Sequence, residues 1–387
     1  MRLDKIDAYV VRLPFKKELR LADMPHKYID SVFVRLTSGE HSGWGEVMPG
    51  NEPVLTAAWS NSVFLCLKDS LIPRVGKARS IDSGQALEEA VQQIRGNRHA
   101  KGILDMAWWD LHARIQQKPL HSVLGGTRKQ IALGLVFDRM DSQEEFFAEL
   151  HRAENDGFRR ITLKIRPGWD VNMLSAVRAE FPQMMIQCDV EGALSLSKNS
   201  DTIYRFDDFF PVVLEQPLSS KEYVGHAMLQ DALRTPIGLD ESVTSYHEAE
   251  IAVDLRSASV ICLNAGRNGG LTTAKAIHDL CLADEIICYS GMTLLSSVGY
   301  RHVAVLASLP NCQLPVDYIR AEEVFEADPG KPLPTRVVDL FENDLGYEIR
   351  GYSDVRVAEL WSEPGIGFDP DMSIIEKYAV EHVEWKA

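Results

Sequence analysis

From Lys129 onward the chain repeats one unit, a short β-branched apolar run closed by turn residues and followed by a helical stretch. Eight runs can be read: Ile131–Phe137, Ile161–Ile165, Met185–Val190, Val212–Glu215, Ile237–Asp240, Val260–Asn264, Ile286–Tyr289 and Gln313–Val316. Seven helical segments separate them, clearest at Gln143–Asn155, Leu271–Ala283 and Val298–Ser308. Eight parallel strands in an open sheet would leave two bare edges, and closure removes them. The expected class is therefore α/β, with a (β/α)7β-type modified TIM barrel over 127–318. Before it, apolar alternation (Ile6, Ala8, Val10; Val32, Val34, Leu36) predicts antiparallel strands, and Ile103, Met106, Ala107 and Leu111 predict a helix ahead of Gly125-Gly126. That gives an N-terminal α+β capping domain over 1–126. Residues 319–387 are mixed in pattern and are expected to complete the capping domain as a C-terminal segment.

Composition narrows the function. No apolar run approaches the roughly 20 residues that span a bilayer, so no membrane role is expected. A net charge of −15, with 41 dispersed Lys and Arg, repels phosphate backbones and argues against nucleic acid. The start shows no signal-peptide core, and the six cysteines (Cys66, Cys188, Cys262, Cys281, Cys288, Cys312) form no paired motif. Reduced core thiols and a cytoplasmic location are the expectation.

Barrel chemistry sits at the C-terminal ends of strands, so the last residue of each run carries the information. Asp189, Glu215 and Asp240 end the third, fourth and fifth runs, 26 and 25 residues apart. Three carboxylates meeting at one mouth repel one another unless a cation neutralises them. All-oxygen donors favour Mg²⁺ over Zn²⁺, with positions left for water or a substrate carboxylate. A single strand-end acid is as well explained as a helix cap; three in register are not. Lys164 ends the second run, and period-2 alternation places Thr162, Lys164 and Arg166 on one face, aimed into the barrel. Beside a divalent cation and Arg166 its ammonium form would be disfavoured, which makes it a candidate base. His278-Asp279 falls inside a helical pattern and reads as structural; Gly269-Gly270 fits either a phosphate cradle or a helix entry.

These residues resemble the enolase superfamily, in particular its muconate-lactonising subgroup with the o-succinylbenzoate synthases and N-acylamino-acid racemases. The resemblance spans nearly the whole chain. Trp44-Gly-Glu46 and Ala100-Lys-Gly-Ile-Leu-Asp105-Met-Ala-Trp-Trp-Asp110 are similar to the capping-domain motifs; Leu163-Lys-Ile-Arg-Pro-Gly-Trp-Asp170, Glu215-Gln-Pro and Leu239-Asp-Glu-Ser242 are similar to the base and metal-ligand motifs. The resemblance implies removal of a proton α to a carboxylate by Lys164, with Mg²⁺ on Asp189, Glu215 and Asp240 stabilising the enediolate.

The departures bear on which reaction. Thr162 stands at the first lysine of the family's K-x-K, and Asn264 stands where the opposite-face lysine would be, so two-base proton transfer is not expected. Leu295 falls where an acid follows the seventh strand. Glu191 replaces a customary asparagine, as a fourth carboxylate near the metal or as a solvent-facing residue. Glu241 follows the third ligand. The pattern favours a one-base syn β-elimination of the o-succinylbenzoate synthase type on a small-molecule carboxylate. Cycloisomerisation of the muconate-lactonising type and racemisation of an acylated amino acid are the enzymatic alternatives, and a lapsed barrel that only binds Mg²⁺ and a carboxylate is the non-enzymatic one. Substrate selection falls to capping loops near Leu19–Tyr28 and Met48–Pro53, and barrels of this type often pair into homo-oligomers.

Overall fold

The computed structural model describes all residues of 1–387 except 22, 23, 55, 79, 139, 141, 167, 292 and 293. Pro167 of the lysine motif, Met292-Thr293 after the seventh barrel strand and two positions of the Leu19–Tyr28 stretch thus lie outside the described residues.

Strands β1 (Lys5–Leu21), β2 (Met24–Ser38) and β3 (His41–Val47) form an antiparallel meander. The 18-residue helix Arg98–Ile115 lies across it. Two glycines of the Gly-Trp-Gly-Glu stretch permit that contact: a Cβ on Gly43 would stand 2.2 Å from the Leu111 nitrogen, and one on Gly45 2.3 Å from the Ile103 carbonyl. Only a residue without a side chain lets backbone approach backbone this closely.

Eight parallel strands follow: β4 (Gln130–Phe137), β5 (Arg160–Lys164), β6 (Met185–Asp189), β7 (Val213–Glu215), β8 (Ile237–Leu239), β9 (Val260–Leu263), β10 (Ile287–Ser290) and β11 (Val316–Tyr318). They pair in sequence order from β4 to β10, with β11 on the free side of β4. Backbone bonds from Cys288 to the Asn311 carbonyl and from Gln313 to the Cys288 carbonyl link the two ends. The predicted helices 143–155 and 271–283 match to the residue.

The eighth strand differs from expectation. It starts after Pro315, whose missing N–H cannot join a ladder, and so brings Asp317 rather than Gln313 into the barrel. The C-terminal segment also divides its partners. Strand β14 (Ala379–Lys386) adds to β1 of the capping sheet, whereas β12 (Thr335–Asp339) and β13 (Asp354–Glu359) form a hairpin whose β13 pairs antiparallel with β4 of the barrel. Among the described residues no helix is long and apolar enough to cross a membrane, and all six cysteines are free, five of them buried.

Two capping-domain acids join the units by capping barrel helices. Asp105 accepts from the Thr272 amide (3.0 Å) and hydroxyl (2.5 Å) at the start of Leu271–Ala283. Gly270 makes room for it, since a Cβ there would meet the Asp105 carboxylate at 2.3 Å; the Gly269-Gly270 turn is a helix entry filled by protein. Glu46 accepts from the Ser296 amide and hydroxyl and the Gly299 amide at the start of Ser297–Ala307. Such carboxylates satisfy otherwise orphaned helix-start amides and meet the positive end of the helix dipole.

Burial nevertheless pushes both carboxyls up to about 7. With folded-state values above the unfolded ones near 4, their stabilisation is complete below about pH 4 and is lost as pH rises toward 7. The urea midpoint is expected to fall between pH 5 and 8, and the fall to be smaller in Asp105→Asn. Identical pH slopes in wild type and variant would refute Asp105 as a cause.

Candidate metal centre and acid/base site

Strand register builds the site. Lys164 pairs with Asp189, Asp189 with Glu215, and Glu215 with Gly238, so one row of the sheet carries a lysine and two carboxylates side by side. Asp240 lies two residues beyond Gly238, past the end of β8. The conformations after the strands are fixed by side chains the sequence reading passed over. Gln216, at φ +41°, donates to the Leu218 carbonyl and the Ser242 hydroxyl and accepts from the Asp240 and Ser242 amides. That one amide ties the Glu-Gln-Pro turn to the Asp-Glu-Ser turn and holds two candidate ligands in one frame.

Lys164 Nζ donates to Asp189 Oδ2 at 2.6 Å and to Glu191 Oε1 at 2.7 Å. Burial works against its ammonium, but Asp189, Glu191 and Glu215 outweigh burial and hold its pKa well above the ordinary lysine value. Of the two cations expected beside Lys164, Arg166 is paired elsewhere. That guanidinium does not press on Lys164; it is spent on Glu191 Oε2 (2.7 Å) and Asp138 (3.3 Å). Glu191 is accordingly no solvent-facing residue but the anion shared by both cations. It sits at φ +51°, and its amide donates to Asp189 Oδ1.

Asn264 takes no position as an acid or base either. Its side-chain oxygen accepts from the Arg267 amide at 3.1 Å and caps the short turn of helix Ala265–Asn268. With Leu295, it lines a small cavity between capping unit and barrel, alongside Met48, His99 and His302. Burial and nearby Arg267 push the His99 imidazole down to about 4, so it is neutral at pH 7. Thr162 lies deeper in the barrel, 1% exposed.

Glu215, Asp240 and Cys262 each offer a ligand atom within 4.8 Å of the other two. Burial, followed by repulsion from Asp189 and Asp240, lifts the Glu215 carboxyl well above its usual range; burial also lifts Asp189. Asp240 Oδ1 is buried without a hydrogen-bond partner, while its Oδ2 is paired with Arg267, a residue the strand-end argument did not find. Glu241 approaches Arg267 at 3.9 Å, and its carboxyl is pushed up to about 8 by burial and by Asp240. Crowded carboxylates with an orphaned buried oxygen fit a hard divalent cation, which would favour their ionised forms.

It follows that Glu215→Gln should relieve repulsion in metal-free protein. The variant is expected to unfold at higher urea than wild type without metal, by about 1–2 kcal/mol, and Mg²⁺ is expected to raise the melting temperature of the wild type but not of the variant. A less stable metal-free variant would contradict the repulsion account.

The geometry agrees with relationships seen across whole chains. Residues 5–125 match the mandelate racemase / muconate lactonizing enzyme N-terminal domain, and residues 145–374 match the enolase C-terminal domain-like family. An o-succinylbenzoate synthase of Geobacillus kaustophilus is 34% identical over 337 residues, covering 87% of this chain and 85% of the relative. An N-succinylamino acid racemase of Thermus thermophilus is 33% identical, covering 85% and 88%. A crystal structure of an enolase-superfamily member from Listeria innocua superposes with a TM-score of 0.88 at 26% identity, over 100% of this chain and 99% of that one. The in-register acids at the barrel mouth, the capping meander and these matches lead to one conclusion: this chain belongs to the enolase superfamily, as a member of its mandelate racemase / muconate lactonizing enzyme family.

Proposed function

We propose that the protein is an Mg²⁺-dependent lyase that removes the proton α to a substrate carboxylate and expels a β-hydroxyl from the same face, in the manner of an o-succinylbenzoate synthase. The observation that carries this reading is a half-buried lysine hydrogen-bonded to Asp189, together with an asparagine at position 264 whose oxygen is committed to a backbone cap. In this reading Lys164 moves protons on one face of the substrate, and residue 264, on the other, does not.

In this reading Asp189, Glu215 and Asp240 hold the cation, which supplies positive charge to the substrate carboxylate as negative charge develops there. Asp189, when engaged with a cation, would hold Lys164 less strongly. Lys164 then takes the α-proton and returns it to the departing hydroxyl, so one amine serves as base and acid in turn. Glu191 keeps Lys164 aimed while Arg166 balances the added charge. Thr162 has no part in the proton transfer. Leu295 and Met48 give the small cavity beside Asn264 an apolar wall.

The wild type is expected to convert the hydroxylated cyclohexadiene precursor to o-succinylbenzoate in Mg²⁺, followed by ultraviolet absorbance. Lys164→Ala should lower kcat by about 10³-fold or more, within the range of a lost general base and nucleophile-scale proton carrier. In D₂O, N-succinylamino acids should exchange the α-proton of one enantiomer only. Exchange of both would instead support a racemase like the Thermus relative, and no exchange in any acid tested would support a binding protein.

A further inference from the structure

Beneath the carboxylate row lies a hydrogen-bonded set that none of the strand-end residues accounts for, with the Arg160 Nε the one unpaired donor of its guanidinium. Arg160, one turn of the pleat below Thr162 on the same face of β5, is 0% exposed. Its Nη1 donates to the Pro315 carbonyl at 2.9 Å and to Asp317 Oδ1 at 2.8 Å; its Nη2 donates to the Thr162 hydroxyl at 2.9 Å and to Gln187 Oε1 at 2.7 Å. Gln187, also 0% exposed, passes its amide nitrogen to Glu215 Oε2 at 2.5 Å. The Thr162 hydroxyl donates in turn to Asp317 Oδ1 at 3.3 Å. Space for the guanidinium comes from Gly134 on β4, where a Cβ would stand 2.7 Å from Nη1.

The donor pattern fixes an orientation. With Arg160 donating to its oxygen, the Gln187 amide can present only its N–H to Glu215. That bond occupies one carboxylate oxygen of Glu215, Oε2, and leaves Oε1 outside the relay. Arg160 also neutralises Asp317, a buried anion that the eighth strand brings in among Asp189, Glu215 and Asp240.

We propose that Arg160 and Gln187 are positioning residues for Glu215: the Arg160–Asp317 pair locks the Gln187 amide, and the amide sets which Glu215 oxygen faces the cation. The proposal rests on the reading above that Glu215 is a metal ligand. Outer partners of this kind tune metal affinity by orienting the ligand and holding its charge. It also gives residue 162 a task, since the threonine hydroxyl is both an acceptor for Arg160 and a donor to Asp317.

The test is calorimetric titration of Mg²⁺ into the full-length, metal-free protein, with urea unfolding of the same samples. The variants are Gln187→Met, which keeps volume and removes the relay, and Arg160→Met/Asp317→Leu, which removes the buried ion pair together so that no lone charge remains. Each is expected to raise the Mg²⁺ Kd by about 10–100-fold, with Gln187→Met leaving the metal-free unfolding midpoint close to wild type. If the double variant does not fold, Gln187→Met alone decides. Wild-type Mg²⁺ affinity in Gln187→Met, whether or not its stability drops, would overturn the positioning role while leaving the metal centre intact. A wild type that binds no Mg²⁺ would overturn the metal reading and this proposal with it.

Discussion

Carboxylate repulsion at the end of the barrel is the constraint around which this molecule is arranged. Asp189 and Glu215 are neighbours by strand register, and Asp240 is held close by the Gln216 amide, so none of the three can retreat from the others. The protein's own cations pair with two of them, Lys164 with Asp189 and Arg267 with Asp240, and one layer down Arg160 pairs with Asp317. Burial of so many charges is costly unless they are paired and hydrogen-bonded, and here nearly every one is. Two carboxylate oxygens, Asp240 Oδ1 and Glu241 Oε2, are buried without a hydrogen-bond partner and fit a cation.

The same economy governs the junction of the two units. Glu46 and Asp105 leave the capping meander and its helix to cap two barrel helices, and Asp110 receives the Trp44 and Ile366 amides from the capping sheet and the C-terminal segment. Each acid is desolvated, and burial raises the Asp110 carboxyl to about 6. Their hydrogen bonds therefore fix geometry more than they add stability at neutral pH. The junction matters to the site because Met48 and His99 of the capping unit share a cavity with Asn264 and Leu295 of the barrel.

Much of this was legible in the chain. Short β-branched apolar runs alternating with helical stretches identified all eight barrel strands to within a few residues, because parallel strands buried on both faces must be short and apolar. The strand-end acids and Lys164 could be named because each closes a run. The misplaced eighth strand shows the limit: Gln313–Val316 satisfied an apolar pattern, but Pro315 could not serve the ladder, and with the shift Asp317 entered the barrel unannounced. Arg160 was likewise hidden, since an arginine next to an arginine at the start of a strand reads as solvated charge until three neighbouring strands close over it.

The sequence by itself determined which residue types stand at strand ends, and hence the class of chemistry the barrel mouth can support, because spacing along a strand fixes which side chains share a face. It also determined that residue 264 is not a proton carrier, since no fold makes an amide basic. Only the tertiary structure decided the partnerships: that Arg166 balances Glu191 instead of pressing on Lys164, that Asn264 caps a turn, and that Gln187 and Gln216 aim the acids beside them. Those depend on which atoms of distant strands come within 3 Å of one another. Distance of that kind is set by closure of the barrel and is not encoded in any local pattern.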